Sequence, residues 1–137
     1  RRGVHAATDV TGFGFAGPLL TLLSRDDLLA ELDGEAMPLL PGARTLWADG
    51  LVSTADPANR MAFEARVDAP EADLPWLFDP QTAGGLLLAV APEAVDGILA
   101  EFKAAGEPPV SRVGRIGTDV MIGGAIRVGI PATVRAL

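Results

Sequence analysis

A pair of glycines stands directly before the most continuously apolar run of the chain, and this arrangement strongly restricts the fold. The segment DPQTAGG at residues 79–85 ends in Gly84 and Gly85, and residues 86–91 then carry no polar side chain. An uninterrupted apolar run of this kind is typical of a strand that is covered on both faces. Glycines ahead of such a strand allow its backbone to approach a ligand or another strand closely. The sequence therefore predicts a covered strand over residues 86–91 that is entered through a glycine turn.

A second glycine loop lies near the start of the chain, between a strand pattern and a helix pattern. Residues 4–10 form the strand pattern, with Asp9 near its end, and lead into Thr11, Gly12 and Gly14. The apolar residues of the helix that follows share one face at i, i+4, i+7 and i+8, and are Phe15, Leu19, Leu22 and Leu23. Pro18 is expected in the first helical turn, because deeper in a helix proline removes a hydrogen bond and clashes.

The remaining pattern mixes short strands and helices without strict alternation. Strands are predicted over residues 28–32, 61–67, 110–116 and 125–128, a short helix over residues 43–48, and a loop over residues 51–59. The clearest helix pattern starts at Pro92 and ends near Gly106, where a left-handed cap is expected. Its apolar face consists of Val95, Ile98, Leu99 and Phe102. Mixed elements of this kind predict an α+β fold in which helices pack on a mixed sheet.

The charge balance argues against a nucleic-acid partner. Eighteen acidic residues against eleven basic ones give a formal net charge of −7, whereas a nucleic-acid surface needs clustered Lys and Arg to displace counterions from phosphates. No apolar run approaches the roughly 20 residues that cross a bilayer, so no membrane partner is predicted. Cysteine is absent, which leaves no disulfide, thiolate metal site or cysteine nucleophile in this chain. The expected location is therefore cytoplasmic.

Asp9 is the first candidate functional residue. A carboxylate at a strand end beside a glycine loop can hold Mg²⁺, a hard cation that prefers oxygen ligands and bridges to nucleotide phosphates. The free N–H groups at the start of the following helix attract anions. In this interpretation Thr11, Gly12 and Gly14 border a nucleotide–magnesium site. In the alternative interpretation Asp9 caps a turn and the glycines only supply unusual backbone angles. Spacing alone favours the alternative, because the loop matches neither the Walker A pattern nor GxGxxG.

The glycine pair and the single histidine leave a similar choice open. Thr82 could donate a hydroxyl group to a ligand, although on local evidence a tight turn into a core strand is the better explanation of the glycines. His5, beside a strand, is more often a structural residue than a catalytic one, and no Ser or Cys partner is identifiable. The residues alone assemble no complete active site, and no catalytic residue is predicted in this chain.

Taken together, the two loops resemble the signatures of the selenophosphate synthetase (selenide, water dikinase) family. The runs TDVTGFG at residues 8–14 and DPQTAGGLLLAV at residues 79–90 carry the resemblance, and LPGA at residues 40–43 and Asn59 are also similar. The resemblance extends from His5 to about Val128 and corresponds to the C-terminal half of that enzyme. It implies that residues 1–137 are a single C-terminal domain of a longer enzyme, without the N-terminal ATP-binding domain. A first residue, Arg1, that is not methionine agrees with this expectation.

The resemblance also implies a fold, a reaction and partners. The fold is the three-layer arrangement of helix, mixed sheet and helix found in the C-terminal domain of aminoimidazole ribonucleotide synthetase-like proteins. The reaction converts ATP, selenide and water into selenophosphate, AMP and phosphate, with Mg²⁺ as the metal. Asp9 matches the family aspartate that helps to coordinate magnesium, and Thr11, Gly12 and Gly14 lie in the same matched run.

The expected partners of the domain are ATP and selenide, its own N-terminal domain, and a second copy of the full-length enzyme in a homodimer. The family's reactive Cys or selenocysteine, its catalytic Lys and most of its ATP contacts lie in the N-terminal half. The domain is therefore expected to be inactive alone.

Three departures from the family pattern keep other functions open. Pro18 stands where the family usually has histidine, Ala83 replaces the serine of DPQTSGG, and residues 53–59 lack the usual glycine pair before Asn59. One alternative is a relative on the same scaffold, such as aminoimidazole ribonucleotide synthetase, thiamine-monophosphate kinase or the hydrogenase maturation dehydratase. Another is a non-catalytic binding or dimerisation module. Retention of Asp9 and of both glycine loops favours the enzyme domain.

Overall fold

The computed structural model describes residues 3–23, 28–107, 110–118 and 125–129. Their helices and strands follow in chain order as β1 (Val4–Asp9), α1 (Ala16–Leu22), β2 (Leu28–Leu32), α2 (Ala43–Ala48), α3 (Asp56–Phe63), β3 (Val67–Asp68), α4 (Leu74–Phe78), β4 (Leu86–Val90), α5 (Val95–Ala105), β5 (Gly114–Thr118) and β6 (Ala125–Val128). Short 3₁₀ turns occupy Gly34–Ala36, Glu64–Arg66, Glu71–Asp73 and Pro92–Ala94. None of the described helices has the length and apolar character needed to cross a membrane.

Four of the strands form a mixed sheet. The strand order is β3-β6-β2-β5, in which β2 runs antiparallel to β5 and parallel to β6, and β3 runs parallel to β6. The register pairs Leu32 of β2 with Val128 on one side and with Gly114 on the other. Gly114 permits this approach, because a Cβ atom there would collide with the carbonyl oxygen of Glu31. The predicted α+β fold with a mixed sheet is confirmed.

β1 and β4 form a separate antiparallel ribbon that ends at the two glycine loops. The register pairs Thr8 with Leu87 and Asp9 with Leu86. The strand predicted over residues 86–91 is present as β4, but the expectation that both of its faces are covered is wrong. Leu87 packs against the core, whereas Leu86, on the opposite face, is 77% exposed. The reason is that β4 pairs with β1 in a two-stranded ribbon and does not join the larger sheet.

The core lies between α1, α4 and the four-stranded sheet. The largest side chains with less than 2% exposure are Phe78, Leu23, Leu77 and Ile126. Phe15, at the start of α1, meets Trp76 of α4 edge to face with ring centroids 5.6 Å apart, a geometry that aromatic pairs prefer. Trp76 also donates a hydrogen bond from Nε1 to Asp73 Oδ1 at 2.9 Å. These contacts fix α1 and α4 beside the glycine loops that they flank.

The largest departure from the sequence-based expectations is α3. The loop predicted over residues 51–59 holds only as far as Ala55, and the strand predicted over residues 61–67 is wrong apart from Val67, because Asp56–Phe63 is one helix. Pro57 suits the first turn of a helix, where its missing N–H costs no hydrogen bond. Arg60 Nε donates to Asp56 Oδ1 at 2.7 Å, an i, i+4 pair that stabilises helices. Local polarity indicates a loop here, whereas the proline position and this pair favour a helix.

The other predicted elements lie close to their expected positions. Pro18 is in the first turn of α1, and α2 and β6 have the predicted bounds. α5 ends at Gly106, whose φ of 69° gives the predicted left-handed cap. β5, predicted over residues 110–116, is shifted to Gly114–Thr118, where it pairs with β2. The sequence patterns thus locate most elements, and tertiary pairing adjusts their ends.

Replacing Leu77 by alanine is expected to lower the free energy of unfolding by about 2–5 kcal/mol, the range for truncating a buried leucine. Leu77 is 0% exposed, so its removal leaves a cavity that the neighbouring helices cannot close completely. The matched control is Leu40→Ala: Leu40 is 80% exposed, and its truncation is expected to change stability by less than about 0.5 kcal/mol. Urea unfolding followed by tryptophan fluorescence measures both variants. Equal losses would contradict the burial described here.

Candidate functional site

The two glycine loops, which are far apart in sequence, lie against each other at one end of the β1–β4 ribbon. Residues 9–14 are termed the aspartate loop, and residues 79–85 the glycine-pair loop. The N–H of Val10 donates to the carbonyl of Gly85 at 2.9 Å, and the N–H of Gln81 donates to the carbonyl of Thr11 at 3.0 Å. Both hydrogen bonds join backbone groups, which need partners whatever side chains they carry. The two loops therefore form one continuous edge.

Two of the glycines are required by this close approach. A Cβ atom on Gly84 would collide with the carbonyl oxygen of Val10, and one on Gly14 would lie 2.6 Å from the carbonyl oxygen of Leu77. Gly14 also has a φ of 65°, a left-handed conformation that glycine adopts without steric cost. Gly84 and Gly14 thus allow neighbouring backbone segments to meet.

Gly12 and Gly85 differ from that pair, because the space beside them is open. No atom apart from their chain neighbours lies within 4 Å of a Cβ built on either residue, and both residues are exposed. Gly14, in contrast, is buried, and Thr11 is half-buried with its carbonyl accepting from the N–H groups of Gly14 and Gln81. Among the predicted nucleotide contacts, Gly12 has the open face, while Thr11 and Gly14 shape the loop.

Asp9, the predicted metal ligand, is exposed at the end of β1. It pairs with Leu86 in the ribbon, and the hydroxyl of Thr8 donates to its carbonyl oxygen at 3.2 Å. An exposed carboxylate suits Mg²⁺, which keeps several waters and usually takes only one or two carboxylates from a protein. Within the described residues, no group of three or more His, Cys, Asp or Glu side chains could hold a metal ion. The exposure and ligand type of Asp9 are therefore compatible with a single carboxylate contact to Mg²⁺.

The amide of Asn59 is the feature of the site that sequence reasoning missed. Its Nδ2 donates to the carbonyl of Gly12 at 3.0 Å and to the carbonyl of Phe78 at 2.8 Å. Asn59 is 5% exposed, so α3 supplies a buried bridge between the aspartate loop and the start of the glycine-pair loop. The similarity of Asn59 to the family pattern is the sequence signal for this residue, and that similarity assigns it no role.

The remaining residues that the sequence analysis singled out are His5, Thr82 and Pro18, and they lie at separate positions in the fold. His5 is exposed on β1, and Thr82 is exposed in the glycine-pair loop beside Ala83. Pro18 is buried in α1, so this departure from the family pattern lies inside the fold. The prediction that the chain holds no catalytic residue remains a prediction.

A charged pair of α3 lies next to the start of the glycine-pair loop. Asp56 is 5% exposed, and its Oδ2 is buried with no hydrogen-bond partner in the part of the chain that the structure describes. The guanidinium of Arg60, bound to the other oxygen of Asp56, lies 5.4 Å from the centroid of the Phe78 ring, within cation–π range. Gln81 Nε2 donates to Asp79 Oδ2 at 3.1 Å. The hydrogen bond between Gln81 and Asp79 thus fixes the first residues of the glycine-pair loop. These residues lie near the buried carboxylate of Asp56.

These surroundings alter the acidity of Asp79. Burial raises the pKa of Asp79 above its ordinary value of 3.8, because a charged carboxylate is less well solvated inside a protein. The hydrogen bond from Gln81 lowers the pKa, and the negative charge of Asp56 raises it further. The folded state therefore favours the protonated form of Asp79 more than the unfolded chain does.

Comparison with known families identifies the ancestry of this arrangement. Residues 1–124 match the family described as AIR synthase related protein, C-terminal domain. The chain belongs to this family. The expected fold, that of the C-terminal domain of aminoimidazole ribonucleotide synthetase-like proteins, is thereby confirmed.

Relatives within the family carry the name selenide, water dikinase. The relative from Burkholderia orbicola (strain MC0-3) is 41% identical over 132 residues, which cover 93% of this chain and 36% of that protein. The relative from Dechloromonas aromatica (strain RCB) is 41% identical over 118 residues, which cover 83% of this chain and 34% of that protein. The chain thus spans about a third of the length of these curated relatives.

A solved structure shares the fold. Thiamine-monophosphate kinase from Stenotrophomonas maltophilia K279a matches with a TM-score of 0.57 and 21% sequence identity, over 92% of this chain and 31% of that chain. At this identity the likeness concerns the fold alone, and the substrate has to be inferred from the site.

Gly84→Ala is expected to lower the free energy of unfolding by about 1–3 kcal/mol, the usual cost of forcing an extra methyl group into filled space. The new methyl group would collide with the carbonyl of Val10, so the two loops must move apart. Gly85→Ala is the matched control, since a Cβ atom there meets nothing within 4 Å. Urea unfolding compares the two variants. If both cost the same, the loops do not approach each other as described.

Asp79→Asn is expected to raise the free energy of unfolding at neutral pH. Because the pKa of Asp79 is raised in the folded state, the stability that this group contributes is present at acidic pH and is lost as the pH rises through the folded pKa. Asparagine removes the charge, and its Oδ1 can still accept from Gln81. In urea unfolding, the advantage of the variant should shrink as the pH falls towards 3.8. An advantage that is independent of pH would argue against a raised pKa.

Proposed function

We propose that this chain is the C-terminal domain of a selenide, water dikinase, which makes selenophosphate from selenide, ATP and water and releases AMP and phosphate. The observation that carries the proposal is the meeting of the two signature loops in a chain that is 41% identical to a relative of that name. Residues 1–137 act as one domain with an N-terminal ATP-binding domain of the same enzyme, in a cytoplasmic homodimer. The domain is inactive alone and holds no catalytic nucleophile.

Asp9 is the proposed ligand for Mg²⁺. When bound, Mg²⁺ neutralises the charge of the polyphosphate while phosphoryl groups are transferred. The carboxylate of Asp9 is attached to the last residue of β1, whose backbone is fixed by its register with β4. Ligands on regular elements hold a metal more accurately than ligands on flexible segments. The exposed position of Asp9 leaves room for ligands from ATP, water and the N-terminal domain.

Gly12 is the proposed point of nucleotide contact. The open space beside it allows a phosphate group to approach the backbone closely, as in other glycine-rich anion sites. Thr11 and Gly14 serve the same contact indirectly, because the hydrogen bond from the N–H of Gly14 to the carbonyl of Thr11 closes the turn that contains Gly12. The three predicted nucleotide-binding residues thus have different parts in one loop.

A relative on the same scaffold with another phosphate acceptor is the second candidate. Ala83 favours it, because it removes a hydroxyl group from the glycine-pair loop. A non-catalytic module is the third candidate, with Pro18 and Ala83 as its support. Retention of Asp9 in the same loop as the open Gly12 argues against a loss of function.

Phosphorus NMR of the complete protein with ATP, Mg²⁺ and selenide tests the proposed reaction. The wild type is expected to form selenophosphate and AMP only when selenide is present. Asp9→Asn is expected to lower the rate by about 100-fold or more, because a bound metal supplies several kcal/mol of charge stabilisation. The matched control is Asp68→Asn, whose side chain is 83% exposed and pairs with Arg127 on the larger sheet. It is expected to retain the wild-type rate.

Each alternative result selects another candidate. Activity that survives Asp9→Asn would keep the reaction and remove Asp9 as an essential ligand. Consumption of ATP without selenophosphate would favour a relative with another substrate. A complete protein that neither binds nor consumes ATP would favour the non-catalytic module.

A further inference from the structure

The buried side-chain amide of Asn59 donates one hydrogen bond to the aspartate loop and one to the residue that precedes the glycine-pair loop. Asn59 Nδ2 donates to the carbonyls of Gly12 and Phe78, which lie 47 and 19 residues away along the chain. Both protons of the amide nitrogen are therefore used, and the orientation of the amide is determined, since its oxygen would repel the same two carbonyls. The hydrogen bond to Phe78 is buried and the one to Gly12 is part-buried. Water is therefore poorly placed to replace the bond to Phe78, and its loss leaves a buried carbonyl unsatisfied.

The amide is presented by a helix that contacts the aspartate loop at a second point. One turn beyond Asn59, the ring of Phe63 meets the ring of Phe13 edge to face, with centroids 6.4 Å apart. One turn before it, Asp56 is tied to Arg60 within the same helix. α3 thus supports the aspartate loop through a polar contact at Gly12 and an aromatic contact at the next residue.

The hydrogen bond at Gly12 also determines where the following N–H group points. The described residues contain no cis peptide bond, and in a planar trans peptide the C=O of Gly12 and the N–H of Phe13 point in opposite directions. Asn59 binds this carbonyl from α3, so the N–H of Phe13 points away from α3. Phe13 is 65% exposed and the space beside Gly12 is open. The N–H of Phe13 therefore points away from α3, in a stretch of the loop where Gly12 and Phe13 are both exposed.

We infer that Asn59 is a positioning residue for the nucleotide: by binding the carbonyl of Gly12, it directs the N–H of Phe13 towards a phosphate oxygen held beside the Asp9 carboxylate. The inference rests on the proposed function for the identity of the anion. A donor that is aimed in advance needs no reorganisation when the anion binds. Asparagine suits this role because it carries two donors on one nitrogen, whereas serine has one donor and ionised aspartate has none.

Calorimetric titration of the complete protein with Mg²⁺ and a nonhydrolysable ATP analogue tests the inference. Asn59→Asp keeps the shape of the side chain but replaces the donors by acceptors. It is expected to raise the Kd by about tenfold or more, the size for losing one hydrogen bond to a charged group. The matched control is Ala58→Gly: Ala58 is exposed on the same helix, and glycine there weakens the helix without changing the amide. Its Kd is expected to equal that of the wild type.

The titration separates positioning from a merely structural role. A variant that is reversibly unfolded in part would raise the apparent Kd only by the reciprocal of its folded fraction, which circular dichroism measures without nucleotide. An irreversibly unfolded fraction would only lower the number of analogue molecules bound per protein. Amide hydrogen exchange gives a second readout that needs no nucleotide: residues 9–14 and 78–85 are expected to exchange faster in Asn59→Asp than in Ala58→Gly. Asn59→Ser, which keeps one donor, is expected to be intermediate in both measurements and replaces the aspartate variant if that variant does not fold.

The outcomes distinguish the inference from the function on which it rests. An unchanged Kd in Asn59→Asp, or in Asn59→Ser if the aspartate variant does not fold, overturns the inference. A wild type that binds the analogue but makes no selenophosphate overturns the proposed reaction and leaves the role of Asn59 standing. A wild type that binds no nucleotide overturns both.

Discussion

The candidate site depends on one place where two backbone segments meet with no side chain between them. A Cβ atom on Gly84 would collide with the carbonyl of Val10, and at the same place the N–H of Val10 donates to the carbonyl of Gly85 at 2.9 Å. This contact joins the end of β1 to the start of β4 and agrees with the register of the ribbon. It also sets the aspartate loop, in which Asp9 and Gly12 are both exposed, against the glycine-pair loop. The glycine pair is thus more than a turn into a core strand.

Local patterns located the elements on either side of this contact, because glycine, proline and apolar spacing act over a few residues. α1, α5 and β6 lie where those patterns placed them. α3 was missed because its buried polar residue Asn59 is favourable only with partners from elsewhere in the chain. The side chain of asparagine can bind nearby backbone groups in non-helical conformations, so asparagine in a sequence favours the prediction of a loop. In the fold, the amide of Asn59 satisfies the carbonyls of Gly12 and Phe78, which no local pattern reveals.

The apolar run of β4 shows a second limit of sequence reasoning. Its composition identifies a strand, but the covering of each face depends on how strands pair, and Leu86 is 77% exposed while Leu87 packs on the core. The same limit applies to the candidate site, of which the sequence predicts one part and the tertiary structure adds the other. Spacing and resemblance lead to the aspartate loop, whereas the separation of an open Gly12 from a buried Gly14 requires the tertiary structure. The sequence thus predicted the type of each element here, whereas it did not predict which of the residues are exposed.

The most direct test of a joint site is the broadening of glycine amide signals by Mn²⁺ with an ATP analogue, in the complete protein labelled with nitrogen-15 glycine. Mn²⁺ takes the same oxygen ligands as Mg²⁺, and its unpaired electrons broaden only nearby signals. The signals of Gly12 and Gly85, one from each loop, are expected to broaden together. Gly97 is expected to stay sharp, because it lies with Gly3 and Ala91 at the opposite end of the ribbon. Broadening of Gly97 alone, or of neither loop, would contradict a metal–nucleotide site built from the two loops.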